Sequence, residues 1–347
     1  MTGGVPGRSR GEHRPLVTVL GGTGFLGGAV TDELLRRRVA VRVVGRRFVP
    51  HPVDQPNLQD RIADLADPRA VVTAVTGSDA VIVLTAHRSP TAQWRLSDTD
   101  PMAERMTVGV VRDVVDTLAA QRRSPGGEVA SPPVVLIAGS APADDSAALA
   151  ADPYTRLKAR AEDVLRAASS DGAISGACLR LPTVYGRIDG AGPVVDRGVI
   201  TAMARRAIAG EPLTIWHQVR RNLLHVRDAA SAFSAALDHA DRLSGGCWAV
   251  GGDRPVHLTD VFEQIARIAA NRCSTAPVAV LPTTPPAHAS PLDPADVLVD
   301  STPFRSITGW RPTVPDDDGL LDLITALADQ AREPESHPTA EHLEAAS

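Results

Sequence analysis

The sequence predicts an α/β fold in which a parallel sheet is covered by helices on both faces. Short β-branched runs such as Leu16–Leu20 (LVTVL) recur through the first half of the chain, and helical stretches separate them. A length of 347 residues with 43% hydrophobic content can bury a large core. We therefore expect a doubly wound sheet followed by a smaller C-terminal part.

The elements can be assigned in order along the chain. Five strands are expected at Leu16–Leu20, 40–44, 61–63, 80–84 and 134–138. Apolar residues at helical spacing predict helices at 102–122, 154–168 and 260–270, and a further strand is expected near 177–181. The proline-rich segment 277–294 is interpreted as an irregular loop, since proline cannot donate to a sheet.

A glycine-rich turn lies between the first strand and the first helix. The segment GGTGFLG places Gly21, Gly24 and Gly27 at a spacing of three, with Thr23, Phe25 and Leu26 between them. Glycines at this position let a pyrophosphate approach the N–H groups at the start of a helix. The turn predicts a dinucleotide site that these six residues form, and a tight structural turn without a ligand is the alternative.

The end of the second strand indicates which dinucleotide binds. An acidic residue about 20 positions after the glycine turn would hold the ribose hydroxyls of NAD, whereas arginine there accepts the 2′-phosphate of NADP. Here Arg46 and Arg47 follow Gly45. We therefore predict NADP(H), and the alternative is that both arginines are solvated loop residues in an arginine-rich chain.

The only lysine of the chain lies four residues after one of its two tyrosines. Lys158 is the single lysine among 36 basic residues, and Tyr154 precedes it on a predicted helix, so both side chains leave the same face. A cation beside a phenol favours the ionised form and suits the tyrosine to proton transfer. Ser140 follows the fifth strand, at the edge where such sheets bind ligands. We predict Ser140, Tyr154 and Lys158 as catalytic residues, and Ser140 as a hydrogen-bond donor to a substrate carbonyl.

Charge and cysteine usage argue against several classes of function. The net charge of −5 does not favour nucleic acid or an anionic membrane as a partner. No apolar run approaches the ~18 residues of a membrane span, and the N-terminus lacks the apolar core of a signal peptide, so we expect a cytoplasmic protein. Cys178, Cys247 and Cys273 are odd in number and widely spaced, which predicts neither a disulfide framework nor a metal site.

Taken together, the motifs resemble the extended short-chain dehydrogenase/reductases of the NAD-dependent epimerase/dehydratase superfamily. The resemblance runs from about residue 16 to residue 328 and rests on GGTGFLG, Asp64-Leu65, Ser140, YTRLK at 154–158, LRLPTVYG at 179–186, RNLLHV at 221–226 and TGW at 308–310. Within the superfamily the chain is most similar to 4-ketoreductases that act on dTDP-4-keto-6-deoxyhexoses with NADPH. That closer likeness is carried by the segments at 94–116, 198–207 and 285–312.

The resemblance implies roles for further residues. Asp64 and Leu65 would lie beside the adenine, Ala86 beside the nicotinamide ribose that Lys158 also holds, and Pro182 next to the nicotinamide. Arg221 would bind the substrate diphosphate, a bidentate task suited to guanidinium. Thr183 would contact substrate at a position that is often asparagine. His225 and Asp228 are interpreted as structural, and Trp94 and Trp216 as either pocket or core residues.

The implied function is NADPH-dependent reduction of the C4 ketone of a dTDP-4-keto-6-deoxyhexose in deoxysugar and antibiotic biosynthesis. Ala141-Pro142 after Ser140 replace the acidic pair of sugar dehydratases, which argues against water elimination. The alternatives are an NAD-dependent nucleotide-sugar 4-epimerase and a non-catalytic NADP-binding regulatory protein. The family often dimerises through helices equivalent to 102–122 and 154–168, which implies a homodimer.

The same reading divides the chain into four regions. A disordered N-terminus (1–14) precedes a Rossmann-like NADP-binding domain at 15–175. A mainly substrate-binding part follows at 176–330, and a disordered tail at 331–347 ends the chain.

Overall fold

The structure, a computed structural model, describes residues 15–47, 55–87, 100–122, 131–141, 152–188, 196, 198–285 and 293–332. The predictions for residues 1–14, for Trp94 and for the tail after Arg332 lie outside these ranges.

A seven-stranded parallel sheet forms the centre of the described fold, as the sequence predicts. Its strands are β1 (Leu16–Leu20), β2 (Ala40–Gly45), β3 (Leu58–Ile62), β4 (Ala80–Val83), β5 (Val134–Ser140), β6 (Ser175–Leu181) and β10 (Cys247–Ala249). Their order across the sheet is β10-β6-β5-β4-β1-β2-β3. The winding reverses between β1 and β4, and in such sheets a crevice opens at the carboxyl ends of those two strands.

Helices cover both faces of this sheet because its strands are apolar on both sides. On one face α1 (Phe25–Arg36) and α7 (Val226–Asp238) pack into a core that includes Val19. On the other face α2 (Pro68–Val75), α4 (Val110–Arg122) and α5 (Pro153–Ser170) pack into a core that includes Leu20. Val19 and Leu20 are neighbours in β1, so alternate residues of one strand serve opposite cores.

The long helix expected at 102–122 is interrupted, which corrects that prediction. It consists of α3 (Pro101–Glu104), a π-helical turn (Arg105–Gly109) and then α4. A Cβ on Gly109 would lie 2.6 Å from a guanidinium nitrogen of Arg105, so glycine makes room for that side chain along the wider turn. Arg105 uses this position to donate to the carbonyls of Leu65 (3.1 Å) and Ala66 (2.9 Å).

The second half of the chain builds a smaller unit on the carboxyl side of β6. A three-stranded sheet has the order β11-β9-β7, from β7 (Thr183–Tyr185), β9 (Arg220–His225) and β11 (Pro255–His257). Around a third core lie the helices α6 (Val199–Ile208), α9 (Leu258–Cys273) and α11 (Asp316–Arg332). The short helices α8 (Ala240–Leu243) and α10 (Thr302–Thr308) complete the described elements.

The proline-rich segment after α9 is not wholly irregular, which corrects a second prediction. Residues Val280–Pro282 form β12, which pairs in parallel with β8 (Leu213–Ile215). Pro282 ends the strand, a position that proline tolerates. The pairing joins segments far apart in sequence, so local composition does not reveal it.

None of the helices in the described parts of the chain is both long and apolar enough to cross a membrane.

Candidate active site

The glycine turn lies at the point where the sheet reverses its winding. Gly21 and Gly22 donate backbone hydrogen bonds to the carbonyl of Val44, at 2.9 and 3.2 Å, which ties the turn to β2. Gly21 has a φ of 82°, and a Cβ there would lie 2.9 Å from the carbonyl oxygen of Leu84, just after β4. A Cβ on Gly27 would overlap the carbonyl oxygen of Gly21. The turn therefore requires glycine at both position 21 and position 27.

Helix α1 begins directly after this turn with its amino end open. Gly24 is the N-cap residue and is exposed, so no side chain occupies the place of a capping group. The first turn of the helix contains no acidic residue. Backbone N–H groups and the positive end of the helix dipole thus meet at a bare glycine surface, which is the environment that a pyrophosphate requires. The residues present fit a dinucleotide.

The carboxyl end of β2 brings the predicted arginines next to the glycine turn. A Cβ on Gly45 would lie 2.6 Å from the Thr23 methyl group, so Thr23 of the turn packs directly on the backbone of Gly45. Arg46 and Arg47 follow and are exposed. Ala63 donates to the Gly45 carbonyl at 2.9 Å and is followed by Asp64. Thr23, both arginines and Asp64 therefore share one edge of the sheet.

Asp64 and Leu65 have different environments at this edge. The Asp64 carboxylate is exposed and accepts a hydrogen bond from the Ala66 N–H at 3.0 Å. Leu65 is 4% exposed, and its side chain packs in the core beneath α2 and α4. Any contact of Leu65 with an adenine would therefore use its main chain. The predicted adenine contacts stay predictions.

The start of α5 positions the tyrosine and the lysine. Asp152 caps this helix, because its carboxylate accepts from the Thr155 N–H at 2.8 Å and from the Thr155 hydroxyl at 2.7 Å. The Lys158 ammonium donates to the carbonyl of Ala138 at 2.8 Å and lies 5.7 Å from the centroid of the Tyr154 ring. Ala138 is in β5, two residues before Ser140. The structure thus brings Tyr154 and Lys158 together, against the strand that ends in Ser140.

The neighbouring strand carries the predicted nicotinamide and substrate contacts. Ser140 is the last residue of β5, not the first residue beyond it, and it pairs with Leu181 at the end of β6. Pro182 then separates β6 from β7, where Thr183 begins the smaller sheet. Ser140, Pro182 and Thr183 are therefore neighbours at the carboxyl edge. Ala86 is exposed in the segment after β4.

Arg221 of β9 has partners that the sequence analysis did not foresee. Its guanidinium donates to the carbonyls of Arg220 (3.0 Å), Asp293 (3.1 Å) and Ala295, and burial lowers its pKa. A β-bridge to Val297 lies beside this contact. The arginine anchors a segment more than seventy residues away in the chain, and its contact with a diphosphate stays a prediction.

Two polar residues near the site, His225 and Asp228, have structural partners. His225 is 2% exposed and caps α7, where its Nδ1 accepts from the Arg227 N–H at 3.3 Å. The Asp228 carboxylate accepts from the N–H (2.8 Å) and hydroxyl (2.9 Å) of Thr313. These contacts agree with the interpretation of both residues as structural, which stays a prediction. Trp216 is 37% exposed, which removes the core alternative for that residue.

Sequence reasoning missed two groups that position the catalytic candidates. The first is the Ala138 carbonyl, a main-chain acceptor that no residue type announces. The second is Asp152, which could have been found, because an aspartate followed by proline before a helical stretch is a typical N-cap and first-turn pair.

Comparisons with known proteins agree with this geometry. The family model for the NAD dependent epimerase/dehydratase family matches residues 17–251, from the second residue of β1 to just beyond the end of β10, and this range includes all the catalytic candidates. Among curated protein sequences none matches the chain.

Solved structures of similar fold cover nearly the whole chain. MoeE5, solved with UDP-glucuronic acid and NAD, is 22% identical with a TM-score of 0.70, over 90% of this chain and 99% of its own. A UDP-glucose 4-epimerase from Thermotoga maritima, solved with UDP-glucose, is 18% identical with a TM-score of 0.71, over 91% and 99%. A UDP-glucuronic acid 4-epimerase from Bacillus cereus, solved with UDP-glucuronic acid and NAD, is 17% identical with a TM-score of 0.70, over 91% and 99%.

These likenesses establish the α/β fold, and the match of the family model over 17–251 establishes the family. The chain belongs to the NAD dependent epimerase/dehydratase family.

Proposed function

We propose that the protein is an NADPH-dependent 4-ketoreductase that acts on a dTDP-4-keto-6-deoxyhexose. The observation that carries the proposal is the placement of Tyr154 and Lys158 against the end of β5, at the edge where doubly wound sheets bind their ligands. From the resemblance to the extended short-chain dehydrogenase/reductases we also propose a homodimer, and from the sequence we propose a cytoplasmic location.

The chain's own residues would bind the ketone and deliver the proton. The bound dinucleotide would supply the hydride. The Tyr154 hydroxyl would protonate the carbonyl oxygen, and the Ser140 hydroxyl would orient that oxygen by a hydrogen bond. The Lys158 ammonium has three N–H donors, of which one is directed to Ala138. We propose that the other two donors bind the nicotinamide ribose, while the charge of the ammonium stabilises the ionised form of Tyr154.

The choice of NADPH rests on the end of β2. Arg46 and Arg47 are exposed beside Thr23 of the glycine turn, where charge-assisted hydrogen bonds can reach a 2′-phosphate. No acidic residue occupies that strand end in the sequence, so the usual partner of the NAD ribose is missing from it.

The proposed substrate class has support from two sides. The three structural neighbours were solved with UDP-sugars, and Arg221 provides a guanidinium on the smaller sheet that can take a diphosphate. The choice of a dTDP-keto-deoxyhexose within that class rests on the resemblance of the segments at 94–116, 198–207 and 285–312.

A 4-epimerase that uses bound NAD is the second candidate. Two of the neighbours are 4-epimerases, and two were solved with NAD. The same tyrosine and lysine can serve that reaction, so the catalytic candidates do not separate the two. The choice of cofactor and the net reduction of the sugar distinguish the two reactions.

The deciding experiment supplies the purified protein with NADPH and a dTDP-4-keto-6-deoxyhexose. Loss of NADPH absorbance, with one hydroxysugar formed per NADPH and identified by NMR, supports the ketoreductase. Interconversion of UDP-glucose and UDP-galactose without NADPH consumption, by protein that retains NAD after purification, would replace it with the epimerase. Binding of NADPH without turnover of either sugar would indicate the regulatory alternative.

A further inference from the structure

Two cysteines face each other across the last pair of strands in the central sheet. Cys178 in β6 and Cys247 in β10 are directly paired in the parallel register. Cys178 is fully buried and Cys247 is partly exposed, since β10 is the edge strand. The two residues are 69 positions apart, so their pairing is a product of the fold and not of a sequence motif.

A buried ion pair lies against both sulfur atoms. Glu162 of α5 is 4% exposed, with its carboxylate oxygens 3.3 Å from Cys178 Sγ and 3.4 Å from Cys247 Sγ. Arg180 of β6 binds the same carboxylate through Nε (3.1 Å) and a terminal nitrogen (2.5 Å), one to each oxygen. Arg166 approaches Cys247 Sγ at 3.6 Å from the solvent side.

This arrangement fits oxidation better than a metal ion. The ligand atoms of Glu162, Cys178 and Cys247 lie within 4.8 Å of one another, but both carboxylate oxygens already bind the Arg180 guanidinium. A cation there would meet that positive charge and would find two free ligands, fewer than the four that structural zinc takes. Neighbouring strands are about 4.8 Å apart, within the range of about 4.4 to 6.8 Å between the Cα atoms of a disulfide.

The two thiols have opposite chemical tendencies. A hydrogen bond from the Cys178 thiol, assisted by the charge of Arg180, lowers the pKa of Cys247. Burial raises the pKa of Cys178. The partly exposed sulfur of Cys247 therefore ionises more readily than the buried sulfur of Cys178, which is the order expected of an attacking and a resolving cysteine.

We propose that Cys178 and Cys247 are an oxidation site that closes to a disulfide when the protein meets a peroxide. The Cys247 thiolate attacks one peroxide oxygen, the O–O bond breaks, and the departing hydroxide takes a proton to leave as water. The Cys178 sulfur then attacks the sulfenic sulfur of Cys247, the S–O bond breaks, and the second oxygen leaves as water with the Cys178 proton. Two thiols are oxidised to one disulfide, and hydrogen peroxide is reduced to two waters.

The site lies directly behind the proposed catalytic edge. A Cβ on Gly139 would lie 2.5 Å from Cys178 Sγ and 2.8 Å from the Glu162 carboxylate, so the cluster packs against the backbone between Ala138 and Ser140. Glu162 follows Lys158 by one helical turn in α5. Disulfide formation takes up both sulfur atoms and leaves the Glu162 carboxylate to Arg180.

The test uses the full chain carrying Cys273→Ser, which leaves the paired cysteines as its only thiols. After equimolar hydrogen peroxide, we expect both thiols to disappear, the intact mass to fall by two hydrogen atoms, and a Cys178–Cys247 linked peptide to be found without reductant. Dithiothreitol should restore both thiols. The persistence of both thiols in folded protein would overturn the proposal.

Two single variants separate the roles of the two sulfurs. In Cys178→Ala, peroxide should leave a sulfenic acid on Cys247 that dimedone traps, whereas in Cys247→Ser the Cys178 thiol should stay unreacted. Circular dichroism checks that each variant is folded. Overoxidation of Cys247 with Cys178 still a thiol in the parent, or one zinc per chain retained through both cysteines, would contradict the disulfide. None of these measurements depends on the proposed reductase activity.

Discussion

The dinucleotide side of the candidate site and its substrate side are built in different ways. On the dinucleotide side the backbone defines the surface: Gly21 and Gly27 leave no room for side chains, and α1 begins at the bare Gly24. On the proposed substrate side, long side chains define the surface. Arg221 holds the carbonyls of Asp293 and Ala295, which belong to a segment far along the chain.

This difference explains why cofactor class is easier to infer than substrate. A surface made of backbone can be recognised from a local run of glycines, because few other residues can adopt it. A surface made of side chains depends on which distant segment each one meets. The two halves should therefore respond differently to substitution, and the following predictions test that contrast.

The largest effect is expected where the two halves meet, at Tyr154 and Lys158. Tyr154→Phe and Lys158→Arg should each lower kcat by roughly 10²-fold or more, the scale of general acid–base assistance. Arginine keeps the charge, but its planar fork does not match an ammonium that donates to Ala138 and, as we propose, also to the ribose. The measurement is kcat with the keto sugar, alongside NADPH affinity by fluorescence titration.

The matched double variant sharpens this prediction. Tyr154→Phe combined with Lys158→Arg should be little slower than Tyr154→Phe alone, because residues that act as one unit are not additive. NADPH binding should persist in Tyr154→Phe. Near-normal turnover in either single variant would remove the proposed proton donor.

A smaller effect is expected on the substrate side. Arg221→Ala should raise KM for the nucleotide sugar by about 10- to 100-fold, the scale of a lost charge-assisted hydrogen bond, and should change kcat much less. Arg220→Ala is the control: Arg220 binds Asp296 in the same distant segment through an ion pair at 2.8 Å. Equal KM changes in both variants would show that Arg221 acts only by anchoring that segment.

The smallest effect is expected in cofactor choice. Replacing Arg46 and Arg47 with glutamate should reduce the preference for NADPH over NADH by about tenfold or more, since the charge-assisted hydrogen bonds to the 2′-phosphate are lost. Arg36→Glu, an exposed position at the far end of α1, is the control for each single variant, Arg46→Glu or Arg47→Glu, because it makes the same change of net charge away from the site. If the parent uses both cofactors equally, the assignment of the arginines is wrong.

Local patterns predicted most strands of the first half, but the third strand lies at Leu58–Ile62 and not at 61–63, because it is a polar edge strand without an apolar run. The strands at Leu16–Leu20 and Ala40–Gly45 agree with the expectation to within one residue, because each is a continuous apolar run bounded by breakers. The helix with Tyr154 and Lys158 is also where the spacing placed it, and it extends one residue further at its start, to Pro153, and two at its end, to Ser170.

Features that depend on partners distant in sequence escaped prediction. β12 exists because it pairs with β8, and the π-helical turn at Arg105–Gly109 exists because Arg105 reaches the carbonyls that follow β3. The sequence predicted no disulfide framework because the cysteines are odd in number and widely spaced, whereas β6 and β10 place Cys178 and Cys247 side by side. In each case the feature depends on a contact between segments that are distant in sequence.

Because Lys158 is the only lysine of the chain, it can be labelled selectively. Apart from the α-amino group, its amine is the only one that an amine-directed reagent can label, and it lies partly exposed at the proposed ribose contact. Labelling at one residue would therefore measure occupancy of the dinucleotide site directly. Protection of that amine by each candidate cofactor, titrated against concentration, would rank their affinities without any knowledge of the sugar.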